Sequence, residues 1–305
     1  MVKYVKGEMY VAFNFFNFRI LEPRRQKDAK RLALQSPPQD VAEITDIDYA
    51  GAGDKMRFAD VYFDKSAADS VLPVIFDIHG GGWYYGDKEL NKIYAMHLTG
   101  GGKFKVVNIS YRLCPSATLA EQLCDVTTAI SYFAARADEY GFDKNNLFIT
   151  GDSAGGNLAA MTVKASVNKA MAEYYGLGEL PRFNAVGFTS AAFRLSQYEK
   201  PLVSGYFRPL FKDLSPVREY VDYDADISSD YPPSYIITGN GDFLRRENLS
   251  VAEKLNAAHI PCAVYDYDGN EKFIHVHNVC YPDSDIGKAA NDGMLNFFGS
   301  YIKNL

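Results

Sequence analysis

Two short stretches of this chain hold residues suited to acyl chemistry. "GDSAGG", residues 151–156, fits G-x-S-x-G and lies between the apolar run "NLFIT" and a helical pattern. In that setting a serine is lifted out of a tight strand-to-helix turn. Gly151 and Gly155 leave room for the turn, and the helix sets its positive end beneath Ser153. The bland reading is a glycine-rich turn with a helix-capping serine; the flanking elements and the available partners favour a nucleophile. "HGGGW", residues 79–83, closes a second apolar run, "VLPVIFDI". Three successive glycines cost backbone entropy wherever one shape is held, so their backbone must serve some close approach.

A serine hydroxyl is a weak nucleophile until a base takes its proton, and the base needs an orienting acid. In the order serine, acid, histidine, "SYIITGNGDFL" places Asp242 just after a strand-like run. Its rivals Asp266 and Asp268 sit in or beside "CAVYDYDG" and read as edge or turn residues. The loop "YDGNEKFIHVHNV", after the last strand pattern, supplies both His275 and His277 as bases, and the residues alone leave the choice open. Either one could instead be a loop residue with a hydrogen-bond partner. His97 and His259, in and at the end of helical patterns, read as structural.

Elements that would position these groups alternate from about residue 41 onward. Strand-like runs are "VAEITDIDYA", "MRFADVYFD", "VLPVIFDI", "FKVVNISY", "NLFIT", "NAVGFTS", "SYIITG" and "CAVYDYD". Helical patterns are "TLAEQLCDVTTAISYFAARADEYG", "AGGNLAAMTVKASVNKAMAEYYG", "FLRRENLSVAEKLNAAH" and the terminal "DIGKAANDGMLNFFGSYIKNL". This alternation predicts an α/β fold with a mostly parallel central sheet and helices on both faces. The first two strands, joined by "GAGDK", predict an antiparallel hairpin at one edge. All 305 residues read as one domain, with two irregular stretches: residues 1–40, with Phe13, Phe16, Ile20 and Leu21 for an apolar face, and about 194–230. Long insertions of the second kind are often lids or binding loops.

"HGGGW", "YRLCP", "GDSAGGNLA", "PPSYIITGNGDFLRRE" and the final "HV", in that order, resemble the hormone-sensitive-lipase-like family of α/β-hydrolase esterases from about residue 72 to the C-terminus. The resemblance implies the α/β-hydrolase fold, a serine carboxylesterase acting on short-chain, acetyl or aryl esters, and a helical cap built from 1–40 and 194–230. It further implies Ser153 as nucleophile, Asp242 as acid, His275 as base, and the backbone N–H groups of Gly81, Gly82 and Ala154 as oxyanion hole. His79 then holds the glycine loop, together with Trp83. Three positions depart from the pattern. Cys114 replaces a common Ala, Phe243 stands where Pro is common, and "HVHN" lacks the usual Gly-Phe. His277 thereby becomes a candidate substrate-lining residue on the alcohol side, and Trp83 is a second candidate.

Composition narrows the partners. A net charge of −6 with no basic block argues against nucleic acid. The four cysteines lack metal spacing, and no cofactor is implied. "DYDADISSD" has acids at Asp222, Asp224 and Asp226, but Ile227 and Pro233 replace the Gly and Glu of a calcium loop, so it reads as the solvated end of the insertion. The N-terminal stretch shows neither a cleavage site nor a run long enough to span a bilayer. The expectation is a cytoplasmic protein with a small-molecule ester substrate. A last strand with a free edge would allow a homodimer. Three other readings stay open: amide cleavage by the same triad (amidase, formamidase or peptidase), a non-catalytic hydrolase-fold ligand-binding protein, and a membrane-surface role for the aromatic N-terminus.

Overall fold

A computed structural model of the chain describes residues 21–199, 207–212 and 217–303. Its centre is one sheet of eight strands: β1 (Val41–Asp48), β2 (Phe58–Asp64), β3 (Leu72–Ile78), β4 (Lys105–Ile109), β5 (Phe142–Asp152), β6 (Ala185–Thr189), β7 (Ser234–Gly239) and β8 (Cys262–Tyr267). Their spatial order is β1-β2-β4-β3-β5-β6-β7-β8. The β1–β2 hairpin is antiparallel and forms one edge, β2 meets β4 antiparallel, and every later pair is parallel. Strands β4, β6 and β7 are buried along their whole length, which explains why they read as continuous rather than alternating apolar runs. Successive residues still serve opposite faces. Phe76, Val107 and Ile149 enter one core cluster, whereas Ile75, Val106 and Phe148 enter the other.

Among the described residues, six longer helices surround the sheet: α1 (Glu22–Leu32), α2 (Lys88–His97), α3 (Leu119–Ala135), α4 (Ala154–Val167), α5 (Arg245–Ala257) and α6 (Asp285–Gly299). Two patterns that read as single long helices are broken. The first stops at Ala135 and resumes for one turn before Gly141, whose φ of +63° a side chain would resist. The second breaks at Asn168, whose side-chain oxygen accepts the Met171 N–H (3.0 Å) and starts a separate turn. Among the described residues, no helix is long and apolar enough to cross a membrane.

Of the two segments expected to form a cap, residues 1–20, 200–206 and 213–216 lie outside the described residues, and Phe13, Phe16 and Ile20 with them. At the end of the second segment, the reading of "DYDADISSD" as solvated holds for Asp226, which is exposed, and fails for the two acids before it. Asp222 and Asp224 are buried, at 2% and 8% exposure. The Asp224 carboxylate accepts from the Arg194 guanidinium (2.6 Å) and the Lys254 ammonium (2.7 Å). Asp222 accepts from the Ser196 N–H at 2.9 Å, and its carbonyl takes a bond from the buried Lys164 ammonium at 3.0 Å. Spacing along the chain could not show that these acids bury against α4 and α5, where charges persist only if paired.

Burial works against the charged form of Asp224, but Arg194 and Lys254 outweigh it and hold its pKa below the ordinary carboxylate range. Its contribution is therefore complete above the unfolded carboxylate pKa and is lost as pH falls through the lower native value. Asp224→Ala is expected to cost about 2 kcal/mol at pH 7. Thermal melts should show the gap to wild type narrowing as pH falls below the ordinary carboxylate pKa, about 3.9; a gap that does not change with pH would contradict the linkage.

Candidate active site

Ser153 occupies the turn from β5 into α4 with φ +51° and ψ −113°, a conformation rare for an L-residue. Such strain persists only where the surroundings over-determine it. Here its N–H donates to the Thr189 carbonyl of β6 (2.9 Å). Gly155 lets the first turn of α4 press against the end of β3, where a Cβ would strike the carbonyl oxygens of Ile78 and His79. The glycines on either side of the serine are therefore a packing requirement as much as a turn requirement.

Three elements distant in sequence converge on that serine. His275 Nε2 lies 2.9 Å from Ser153 Oγ, and its Nδ1 lies 2.8 Å from Asp242 Oδ1. The Asp242 side chain is fully buried, and that of His275 is 14% exposed. Burial alone would favour the neutral acid. The hydrogen bond and charge of His275, the Leu244 N–H (3.0 Å) and the Thr238 hydroxyl (2.8 Å) outweigh it and lower the Asp242 pKa. An ionised Asp242 keeps the Nδ1–H of His275 as donor, so Nε2 faces the serine hydroxyl as acceptor. The arrangement can take a proton from Ser153 Oγ and hold it.

The loops that carry Asp242 and His275 are stitched together by Asn240. Its amide donates to the carbonyls of Gly269 (2.9 Å) and Glu271 (3.0 Å), and its oxygen accepts the Phe273 N–H (2.9 Å). Just after the base, Val276 sits at φ +55° with its N–H on the Ser190 hydroxyl (3.2 Å). The rival acids face elsewhere: Asp266 takes both arms of Arg245 (2.8 and 2.9 Å), and Asp268 lies 3.8 Å from the same guanidinium. His97 pairs with Asp283 at 2.9 Å. His277 stacks on Phe273 (ring centroids 4.9 Å) and lies against Tyr281 (5.3 Å).

The glycine loop faces Ser153 from the end of β3. Gly81 has φ +122°, and a Cβ there would collide with the Tyr85 carbonyl; Gly82 has φ +61°. The turn closes on the Gly81 carbonyl, which accepts from Tyr84 and Tyr85. Among the described residues, no protein acceptor takes the N–H of Gly81, Gly82 or Ala154. His79 is fully buried, stacked on Tyr111 at 4.4 Å, and its carbonyl accepts the Tyr111 hydroxyl (2.9 Å). Trp83 is 4% exposed and packs edge-on to Phe207 at 5.9 Å. Its carbonyl accepts from the Cys114 N–H and the Gln122 amide, both at 2.9 Å. Trp83 is thus a support of the loop rather than an exposed wall.

Sequence reasoning passed over the residue that ties the two turns together. Asp152, beside the serine, accepts the Gly80 N–H (2.9 Å) and the Asn91 amide (2.9 Å) on Oδ1. The same Asn91 nitrogen reaches Asp77 at 3.1 Å. Burial pushes both carboxyl pKa values up, and at Asp77 the charge of Asp152 adds to it. The one visible signal for this network was the acid inside "GDSAGG"; Asn91 and Asp77 carried none, because their meeting depends on how α2 docks on β3.

With this geometry in place, the chain can be set beside known proteins. The BD-FAE family model matches residues 59–186, a span that includes both turns. An arylesterase of Saccharolobus solfataricus is 26% identical over 266 residues, covering 81% of each chain. The carboxylesterase NlhH of Mycobacterium tuberculosis is 31% identical over 138 residues, covering 44% of this chain and 42% of that one. The crystal structure of esterase B from Lactobacillus rhamnosis superposes with a TM-score of 0.86 at 22% identity, covering 98% of this chain and 95% of that chain. Both turns, the sheet order and these likenesses agree: the chain has the α/β-hydrolase fold, and the relatives it resembles are esterases.

Proposed function

We propose that the protein is a serine carboxylesterase that hydrolyses short-chain esters through an acyl-enzyme on Ser153. The observation that carries this reading is a single hydrogen-bonded line, Asp242 to His275 to Ser153, and it is supported by the Gly81, Gly82 and Ala154 N–H groups, which nothing in the described protein accepts. Esterase activity as such agrees with the arylesterase and carboxylesterase among its relatives. The preference for small acyl groups rests on the family resemblance.

His275 Nε2 takes the Ser153 proton as Oγ attacks the ester carbonyl carbon, and the carbonyl π pair moves onto oxygen. Asp242 fixes the imidazole tautomer and stabilises its positive charge without accepting the proton itself. The oxyanion is met by the N–H groups of Gly81, Gly82 and Ala154, already aimed before the substrate arrives, so no reorganisation is needed as charge develops. As the tetrahedral centre collapses, the C–O bond to the alcohol breaks and Nε2 returns the proton to the departing oxygen. Water then repeats the sequence on the acyl-enzyme and releases the acid.

Ser153→Ala should lower ester turnover by at least about 10³-fold while far-UV circular dichroism stays unchanged. Turnover retained in that variant would remove Ser153 from the chemistry. Asp152 acts on the oxyanion loop through Gly80, so Asp152→Ala is expected to lower kcat about tenfold to a hundredfold with KM within about twofold. Asp152→Asn, which keeps an acceptor for Gly80, should recover most of that loss. A loss confined to KM, or one shared equally by the Asn variant, would contradict the positioning role.

A further inference from the structure

Among the described residues, the large apolar side chains left exposed are Leu34, Ile44, Val71, Phe243, Val264 and Tyr281. Of these, Phe243 is the one that touches the base. Its ring centroid lies 4.2 Å from that of His275 with the planes tilted by 35°, yet the residue remains 75% exposed. It stands at the apex of a short turn. On either side, Asp242 and Leu244 are each 7% exposed and are joined by the bond from the Leu244 N–H to Asp242 Oδ1 (3.0 Å). The backbone that presents Phe243 to solvent is therefore the backbone that holds the acid.

Given the esterase reading, on which this inference rests, the two ends of a substrate leave Ser153 in different directions. The carbonyl oxygen goes to Gly81, Gly82 and Ala154. The alcohol oxygen must meet His275 Nε2, because that nitrogen returns its proton. Whatever the alcohol carries emerges beside the imidazole, within a ring's width of Phe243. An exposed aromatic face at that point offers offset or edge-on stacking to a flat apolar group and little to a one- or two-carbon alcohol. We propose that Phe243 forms the leaving-group subsite and biases the enzyme toward esters of aromatic alcohols. The contact acts in acylation alone, because the alcohol has gone before water attacks the acyl-enzyme.

Phenyl acetate and ethyl acetate share one acyl group and hence one acyl-enzyme, so their kcat/KM values report acylation with and without an aromatic alcohol. Phe243→Ala should lower kcat/KM for phenyl acetate about tenfold and change that for ethyl acetate by less than about twofold. Phe243→Tyr should restore the phenyl acetate value. Labelling of Ser153 by a small alkyl fluorophosphonate should proceed at the wild-type rate within about twofold, which shows the triad intact. Equal losses for the two esters would mean that Phe243 acts on His275 rather than on the alcohol, and would overturn the subsite; so would an unchanged phenyl acetate value. If the wild-type protein hydrolyses neither ester and takes no phosphonate, the esterase reading itself falls, and the subsite falls with it.

Discussion

The site depends on how closely two turns approach each other. Strand β3 ends in the glycine loop, β5 ends in the serine turn, and the two strands lie side by side in the sheet. Gly155 allows α4 to start against the carbonyls of Ile78 and His79. That approach sets the start of the helix, with Ala154, against the residues that lead into the glycine loop. A single methyl group at Gly155 would strike backbone, which cannot swing aside as a long side chain can. The positive φ values of Ser153, Gly81 and Gly82 follow from the same demand. Asp152 then bonds one turn to the other through the Gly80 N–H.

Around this contact, the supporting interactions come from parts of the chain with other duties. Tyr111 and Cys114, just past β4, hold His79 and Trp83. Gln122 reaches in from α3 and Asn91 from α2. Asn240 locks the acid loop to the base loop with three hydrogen bonds. Locking matters because a base displaced by about an ångström loses much of its effect on rate. On the far side of α4, the paired charges of Asp222 and Asp224 fasten the insertion to the core.

Much of this was legible in the sequence for identifiable reasons. Buried parallel strands leave continuous apolar runs, so the central strands could be located, and a serine between two glycines after such a run marks its own turn. Asp242 could be picked out because it follows β7 directly, whereas Asp266 and Asp268 read as edge or turn residues and lie against Arg245. His275 and His277 are two residues apart, and local sequence cannot say which one turns toward Ser153. The positive φ at Val276 and the stacking of His277 on Phe273 decide it in space. The burial of Asp222 and Asp224 was misread, because charge patterns announce solvent unless the partners, here Arg194 from the same insertion and Lys254 from α5, are already known. Asn91 and Asp77 were silent: their bond depends on the docking of a helix on a strand, which no local pattern encodes.

The central claim is that Ser153 carries the acyl group between the two halves of the reaction. It is tested most directly by acid-quenching the enzyme during steady turnover of an ester and measuring the mass of the protein and of its proteolytic peptides. The account predicts a fraction of chains heavier by one acyl group, with the added mass on the peptide that contains Ser153. Acyl mass on a different residue, or a protein that stays unmodified while product accumulates under conditions where acylation outruns hydrolysis, would contradict it.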